Sequence, residues 1–171
     1  MRNNALLSHA DYDYICDILR RGNAYELEEL ALLVDSFPHG DDGWHHWITV
    51  AIQLGAVAAV AWMISAGVDL AIHESDGYTV LISALEHDPP RRYELLRSLM
   101  AGHAPLNLHG INDWTPLHMA AAREDIKALE LLINAGADPS LRTRIDDYTT
   151  PLEEARFLGR WQSVRFLEQY S

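Results

Sequence analysis

Short apolar runs alternate along this chain with polar, glycine-punctuated turns, at intervals that suit paired helices. The clearest example is Thr115-Pro116-Leu117-His118-Met119-Ala120-Ala121, followed by the run Ala128-Leu129-Glu130-Leu131-Leu132-Ile133 and then Ala135-Gly136-Ala137-Asp138. Leu117, Ala120 and Ala121 share one helical face, and Leu129, Leu132 and Ile133 lie on the helix that follows. Thr115 suits the N-cap, where its hydroxyl accepts from an orphan amide, and Pro116 suits the first helical position, where no N–H is needed. Comparable second helices are predicted around Trp62, Met63 and Ile64 and around Leu95, Leu96 and Leu99. Helices near 11–21 and 24–35 flank Gly22.

The pattern repeats. Glycines at 67, 102 and 136 close the apolar runs at spacings of 35 and 34, and openings at Thr79, Thr115 and Thr150 recur at 36 and 35. With its Thr-Pro-Leu-His-x-Ala opening, the chain resembles the ankyrin-repeat family, whose unit of about 33 residues is a β-turn finger followed by two helices. The resemblance implies an all-α fold, an ankyrin-repeat solenoid of helix-turn-helix units joined by β-turn fingers. It implies one domain over 1–171, with repeats at about 5–40, 41–73, 74–108, 109–141 and 142–171. The second repeat replaces the signature by His46-Trp47-Ile48-Thr49-Val50-Ala51, the third inserts Asp88-Pro89-Pro90 between its helices, and the fifth has a longer finger. Divergent terminal repeats are what a capped solenoid requires. Small alanines on first helices and bulkier residues on second helices predict a curved stack. Gly67, Gly102 and Gly136 fall where a helix ends and φ is expected to be positive, so a β-branched residue at Gly136 should cost more than about 1 kcal/mol. The family resemblance also implies that His118 is a structural ring bonded to a neighbouring hairpin.

Composition narrows the function. The 171 residues are 49% hydrophobic, enough for a core, and carry 13 basic against 25 acidic side chains, a net charge of −12. Such a surface repels phosphates, which argues against nucleic acid and anionic membrane as partners. The charge is uneven: residues 1–90 hold 14 acids and three bases, whereas residues 91–171 hold 11 and ten. Lys127 is the one lysine and alanine is abundant, a bias of GC-rich coding that points to a bacterial source. Cys16, the single cysteine, has no partner for an internal disulfide; no run reaches a membrane span, and the first ten residues lack a signal peptide's apolar length. A reduced, cytoplasmic monomer is the expectation.

Nine histidines raise the question of a metal. His45 and His46 are adjacent, so their side chains diverge; His39, His73, His103 and His109 fall in loops without paired ligand spacing. We therefore expect no metal and no cofactor. Carboxylate pairs at Asp41/Asp42 and Asp146/Asp147 have no catalytic context, there is no phosphate-cradling glycine loop or nucleophile elbow, and Cys16 reads as a small buried residue. No enzyme is predicted; a metal or enzymatic protein using the loop histidines is the remote alternative.

The fingers carry the stronger signal. Trp44, Tyr78, Trp114 and Tyr148 stand one per repeat at spacings of 34, 36 and 34, each with acids close by: Asp41 and Asp42, Glu74 and Asp76, Asp113, and Asp146 with Asp147. Aromatics ringed by carboxylates suit docking to a basic, partly apolar protein surface. The first-helix positions Gln53, Leu54, Glu86, His87 and Arg123 are expected to line the same groove. Trp47, Trp62 and Trp161 read as core, and Glu26–Glu29 as a solvated face. The resulting expectation is a non-enzymatic protein-binding module. A bacterial immunity-type inhibitor of a basic toxin or effector leads, and a regulatory adaptor or accessory subunit is the alternative.

Overall fold

In the computed structural model, residues 9–41, 45–145 and 148–170 are described. They form helix-turn-helix pairs in two compact units that divide between Asp69 and Leu70. The first unit holds α1 (His9–Arg21), α2 (Ala24–Leu33), α3 (Trp47–Gln53) and α4 (Val57–Ser65). The second holds α5 (Val80–Leu85), α6 (Arg91–Ala101), α7 (Pro116–Ala122), α8 (Ile126–Ala135), α9 (Pro151–Phe157) and α10 (Trp161–Leu167), with single 3-10 turns at Ile111–Asp113 and Glu168–Tyr170. Among the described residues there is no strand; Asp41 with His46 and His73 with Thr79 form isolated bridges.

In the first unit α1 packs on α3 and α2 on α4. Its centre is aromatic. Trp47 is fully buried, its indole N–H donating to Ser36 Oγ at 3.0 Å, and its ring lies 6.3 Å from Tyr12 and 5.9 Å from Phe37. Phe37 stacks in turn on Trp62 at 5.8 Å, which leaves Trp62 half-buried. Gly22, at the α1–α2 turn, has a φ of +62°, and a Cβ there would sit 2.6 Å from Ala58 Cβ. Both the backbone and the close approach of α4 require glycine.

The second unit is two-layered: α5, α7 and α9 pack in sequence on one side, and α6, α8 and α10 on the other. All seven residues of α7 are buried because it lies between α5 and α9. Its small side chains allow that approach, as the alanine pattern predicts. Helix α8 buries one face only, through Ala128, Leu129 and Leu132. Within the second of these layers α6 is tied to α8 by Asp125, which N-caps α8 by accepting from Ala128 N at 3.0 Å while pairing with the Arg92 guanidinium and accepting from Tyr93 Oη at 3.0 Å.

One helix ending differs from expectation. Gly67 and Gly136 have φ of +81° and +102°, but Gly102 is not left-handed: its φ is −80°, and His103 takes the left-handed position at +62°. The hydrogen bonds show the register. Ala104 N donates to Leu99 O, as Ala137 N does to Leu132 O and Val68 N to Met63 O. His103 is thus the counterpart of Gly67 and Gly136, one residue beyond the glycine that catches the eye in the sequence. Trp161 also departs from its expected core position; it is 62% exposed at the start of α10.

Candidate functional site

Each finger of the second unit is closed by its own backbone. Glu74 N donates to Tyr78 O at 2.9 Å, Gly110 N to Trp114 O at 2.8 Å, and Thr143 N to Thr149 O at 2.9 Å. Consecutive fingers are joined by histidines: His73 Nε2 bonds to His109 O at 2.7 Å, and His109 Nε2 to Arg142 O at 3.1 Å. These two rings are therefore not merely solvated loop side chains. Each lies on the carbonyl of the next finger.

His118 anchors the following finger from inside α7. Its ring is fully buried; Nε2 bonds to Thr149 O at 2.9 Å, and Nδ1 accepts from Thr115 N at 3.2 Å while lying 2.8 Å from Thr115 Oγ1. Burial pushes its pKa down to about 4, against the weaker upward pull of the Thr149 carbonyl. A neutral ring with its proton on Nε2 satisfies both partners.

This framework sets out the finger side chains in different ways. Tyr148 is 60% exposed and has a φ of +51°, and its carbonyl accepts from Arg142 Nη1 at 2.7 Å. Arg142 also grips Glu153 with both terminal nitrogens, at 2.6 and 3.0 Å. Tyr78 and Trp114 are half-buried, and Asp76 is exposed, its carboxylate accepting from Tyr78 N at 3.1 Å. Burial, with Glu86 and Asp76 nearby, raises the Tyr78 phenol above its ordinary pKa, and Arg123 opposes the shift. Glu86 and Arg123 pair at 2.5 Å across the ends of α5 and α7. Tyr78, Glu86 and Arg123 are thus electrostatic neighbours, a grouping of finger and first-helix positions.

Two of the acids assigned to the docking strip are not exposed charges. Glu74 is buried in its finger turn. Asp113 is buried too, and both its oxygens receive the Arg144 guanidinium and backbone N–H. These bonds hold its carboxyl below the usual carboxylate range. The carboxylate therefore ties the fourth finger to the fifth rather than meeting solvent. In the first unit Asp41 is exposed. Trp44, Asp42 and Asp146 lie outside the described residues, as does Asp147.

Among the described residues, no three His, Cys, Asp or Glu side chains gather as a metal cage would need. Cys16 is buried in α1, and burial raises its thiol pKa, away from the thiolate form that reacts. No described helix is long and apolar enough to cross a membrane.

Comparison with known proteins agrees with the helix-pair architecture. A family described as ankyrin repeats, in three copies, matches residues 48–143. The chain is 35% identical over 96 residues to the putative E3 ubiquitin-protein ligase XBAT34 of Arabidopsis thaliana, a match covering 55% of this chain and 24% of that protein. It is 31% identical over 109 residues to the human SH3 and multiple ankyrin repeat domains protein 1, covering 63% of this chain and 5% of that protein. The chain thus spans a quarter or less of the relatives it matches.

Proposed function

Because this chain belongs to the ankyrin-repeat family, a family of protein-interaction modules, we propose that it is a non-enzymatic binder of one protein with a basic surface. The contact is made by the finger strip of the second unit, with Tyr148 and Tyr78 as its aromatic anchors, Trp114 between them in sequence, and Asp76 supplying charge. One observation carries this reading. Tyr148 leaves 60% of its surface in solvent while its backbone is held at a positive φ that tyrosine seldom adopts. Packing within the unit does not account for a ring placed that way, and tyrosine is enriched at interface hot spots. In the first unit Trp44, Asp41 and Asp42 form the corresponding proposed contact.

Within this class we favour an immunity-type inhibitor acting as a cytoplasmic monomer, which covers the working surface of a basic toxin or effector. Its support is the net charge of −12, which is complementary to a basic partner. The adaptor reading has its own support, since the matching repeats of both relatives are small parts of longer proteins.

The test pairs capture with activity. The wild-type chain and a Tyr78→Ala/Tyr148→Ala variant are used as bait in lysate of the source organism, and each captured protein is assayed with and without the chain. We expect a basic protein to be retained by the wild type and lost by the variant, with a thermal midpoint for Tyr148→Ala close to wild type. An inhibitor silences its partner's activity, whereas an adaptor leaves it intact. Capture unchanged by both substitutions would remove the strip from consideration.

A further inference from the structure

The outer face of α2 in the first unit has an uncommon makeup. Asn23 starts the helix by accepting from Tyr25 N at 3.0 Å and Glu26 N at 3.3 Å, and Leu27 and Leu30 fill the core side. The opposite side then carries Tyr25, Glu28, Glu29, Leu32 and Leu33, whose spacing places them on one continuous helical stripe. Leu32 and Leu33 are 86% and 78% exposed, and Tyr25 is 67% exposed. The second helix α6, by contrast, exposes Arg91, Glu94 and Arg97. The helix-pair fold therefore does not demand leucines at this place, and burying them in water-free contact would stabilise a complex.

Charge defines what would cover the stripe. Residues through Asp69 hold ten acids and three bases. Of the bases, Arg20 pairs with Asp17 at 2.7 Å and Arg21 with Glu26 at 2.9 Å, so the described cations of α1 are already engaged with carboxylates. Glu28 and Glu29 stand between Tyr25 and the leucines, and Tyr25 hydrogen-bonds to Glu29. Tyr14 is also exposed, on α1 near Arg21. An apolar stripe with carboxylates at its middle is complementary to a stripe of opposite sign and like hydrophobicity.

We propose that the outer face of α2 docks a cationic amphipathic helix of a partner protein, with its lysines or arginines over Glu28 and Glu29 and its apolar side chains over Leu32, Leu33 and Tyr25. The residues of this face are not those of the finger strip, and neither proposal depends on the other.

The experiment uses the full chain and two synthetic probes, a labelled amphipathic helical peptide of leucine and lysine and its leucine–glutamate counterpart, with affinity read by fluorescence anisotropy at low and moderate salt. The wild type should bind the lysine peptide and not the glutamate peptide. Leu32→Ser/Leu33→Ser and Glu28→Gln/Glu29→Gln should each weaken binding about tenfold or more, a loss typical of central interface positions. The control Asp88→Asn/Glu94→Gln, with the same charge change in the second unit, should stay within about twofold of wild type, since it alters no residue of α2. Glu28→Arg/Glu29→Arg should reverse the preference and capture the glutamate peptide, which keeps the test decisive whatever the first variants do. Equal losses in the control would reveal general attraction to an acidic protein and overturn the proposal, as would undiminished binding by the leucine variant. Sedimentation showing wild-type self-association that Leu32→Ser/Leu33→Ser abolishes would assign the face to a second copy and also overturn it.

Discussion

Acid should unfold this protein in a window set by His118. The ring is fully buried, bonds through Nε2 to Thr149 O and accepts at Nδ1 from Thr115 N, so a second proton on Nδ1 would break the bond from Thr115 N and place a charge in a buried site where the Thr115 hydroxyl, at 2.8 Å, is its neighbouring acceptor. Its pKa is pushed down to about 4, from an ordinary value near 6.5. Because the folded value lies below the unfolded one, the unfolded chain takes up the proton first as pH falls. The stabilisation is complete above about pH 6.5 and disappears as pH drops toward about 4. Those two values give a loss of roughly 1 kcal/mol at about pH 5.5, rising to roughly 3 kcal/mol at the acid limit. Asp113 and Glu153, held low by Arg144 and Arg142, lose their contributions further down, as pH falls through the carboxylate range. Urea unfolding followed by tryptophan fluorescence, at about pH 7.5, 5.5 and 4.5, measures the effect, with His118→Gln as a non-titrating control. The variant should be less stable at neutral pH but show a flatter decline between the two upper values. Parallel declines in the two proteins, or an NMR titration of the folded ring with a midpoint near its ordinary pKa, would refute the reasoning.

Three further outcomes follow from the packing. Asp125→Ala strips Arg92 of a buried partner and α8 of its cap, and should cost about 3–5 kcal/mol in chemical denaturation; Asp125→Asn, which keeps the cap and the Tyr93 bond, should cost less. His103→Gly relieves a left-handed residue and should raise stability by about 0.5–1 kcal/mol, seen as a higher thermal midpoint. Gly22→Ala meets both a φ of +62° and the Ala58 methyl, and should lower stability by about 1–3 kcal/mol in the same scan.

The helix pairs were legible in the sequence where local chemistry alone decides them. Thr115 and Pro116 specify a helix start wherever the segment lies, and the alanines of α7 announce a helix with neighbours on both sides. The misplaced helix end of α6 shows the limit of that reading. Gly102 draws the eye, but one more residue of helix moves the left-handed site to His103, and only the hydrogen bond from Ala104 to Leu99 reveals it. The finger strip was legible as a spacing of aromatics and not as a set of charges. Whether an acid faces solvent depends on partners far along the chain: Asp113 is claimed by Arg144, 31 residues away. Trp161 likewise sits on an apolar periodicity, yet periodicity does not report whether a neighbouring element covers it. The histidine links had a usable signal. His73, His109 and Arg142 are separated by 36 and 33 residues, close to the repeat length, and a polar ring recurring at that period suggests contact between adjacent fingers.

Those histidine links bear on how such a chain can grow. His109 serves its neighbours in two directions, offering its carbonyl to His73 and its ring to the carbonyl of Arg142. A segment running from residue 74 to residue 109 therefore carries one plug and one socket of the same kind. Duplicated in tandem, it would present a fresh ring to the old acceptor and a fresh acceptor to the old ring, leaving the series of finger bonds unbroken. Lengthening by whole segments thus conserves the joint, whereas an insertion of any other length must build a new one.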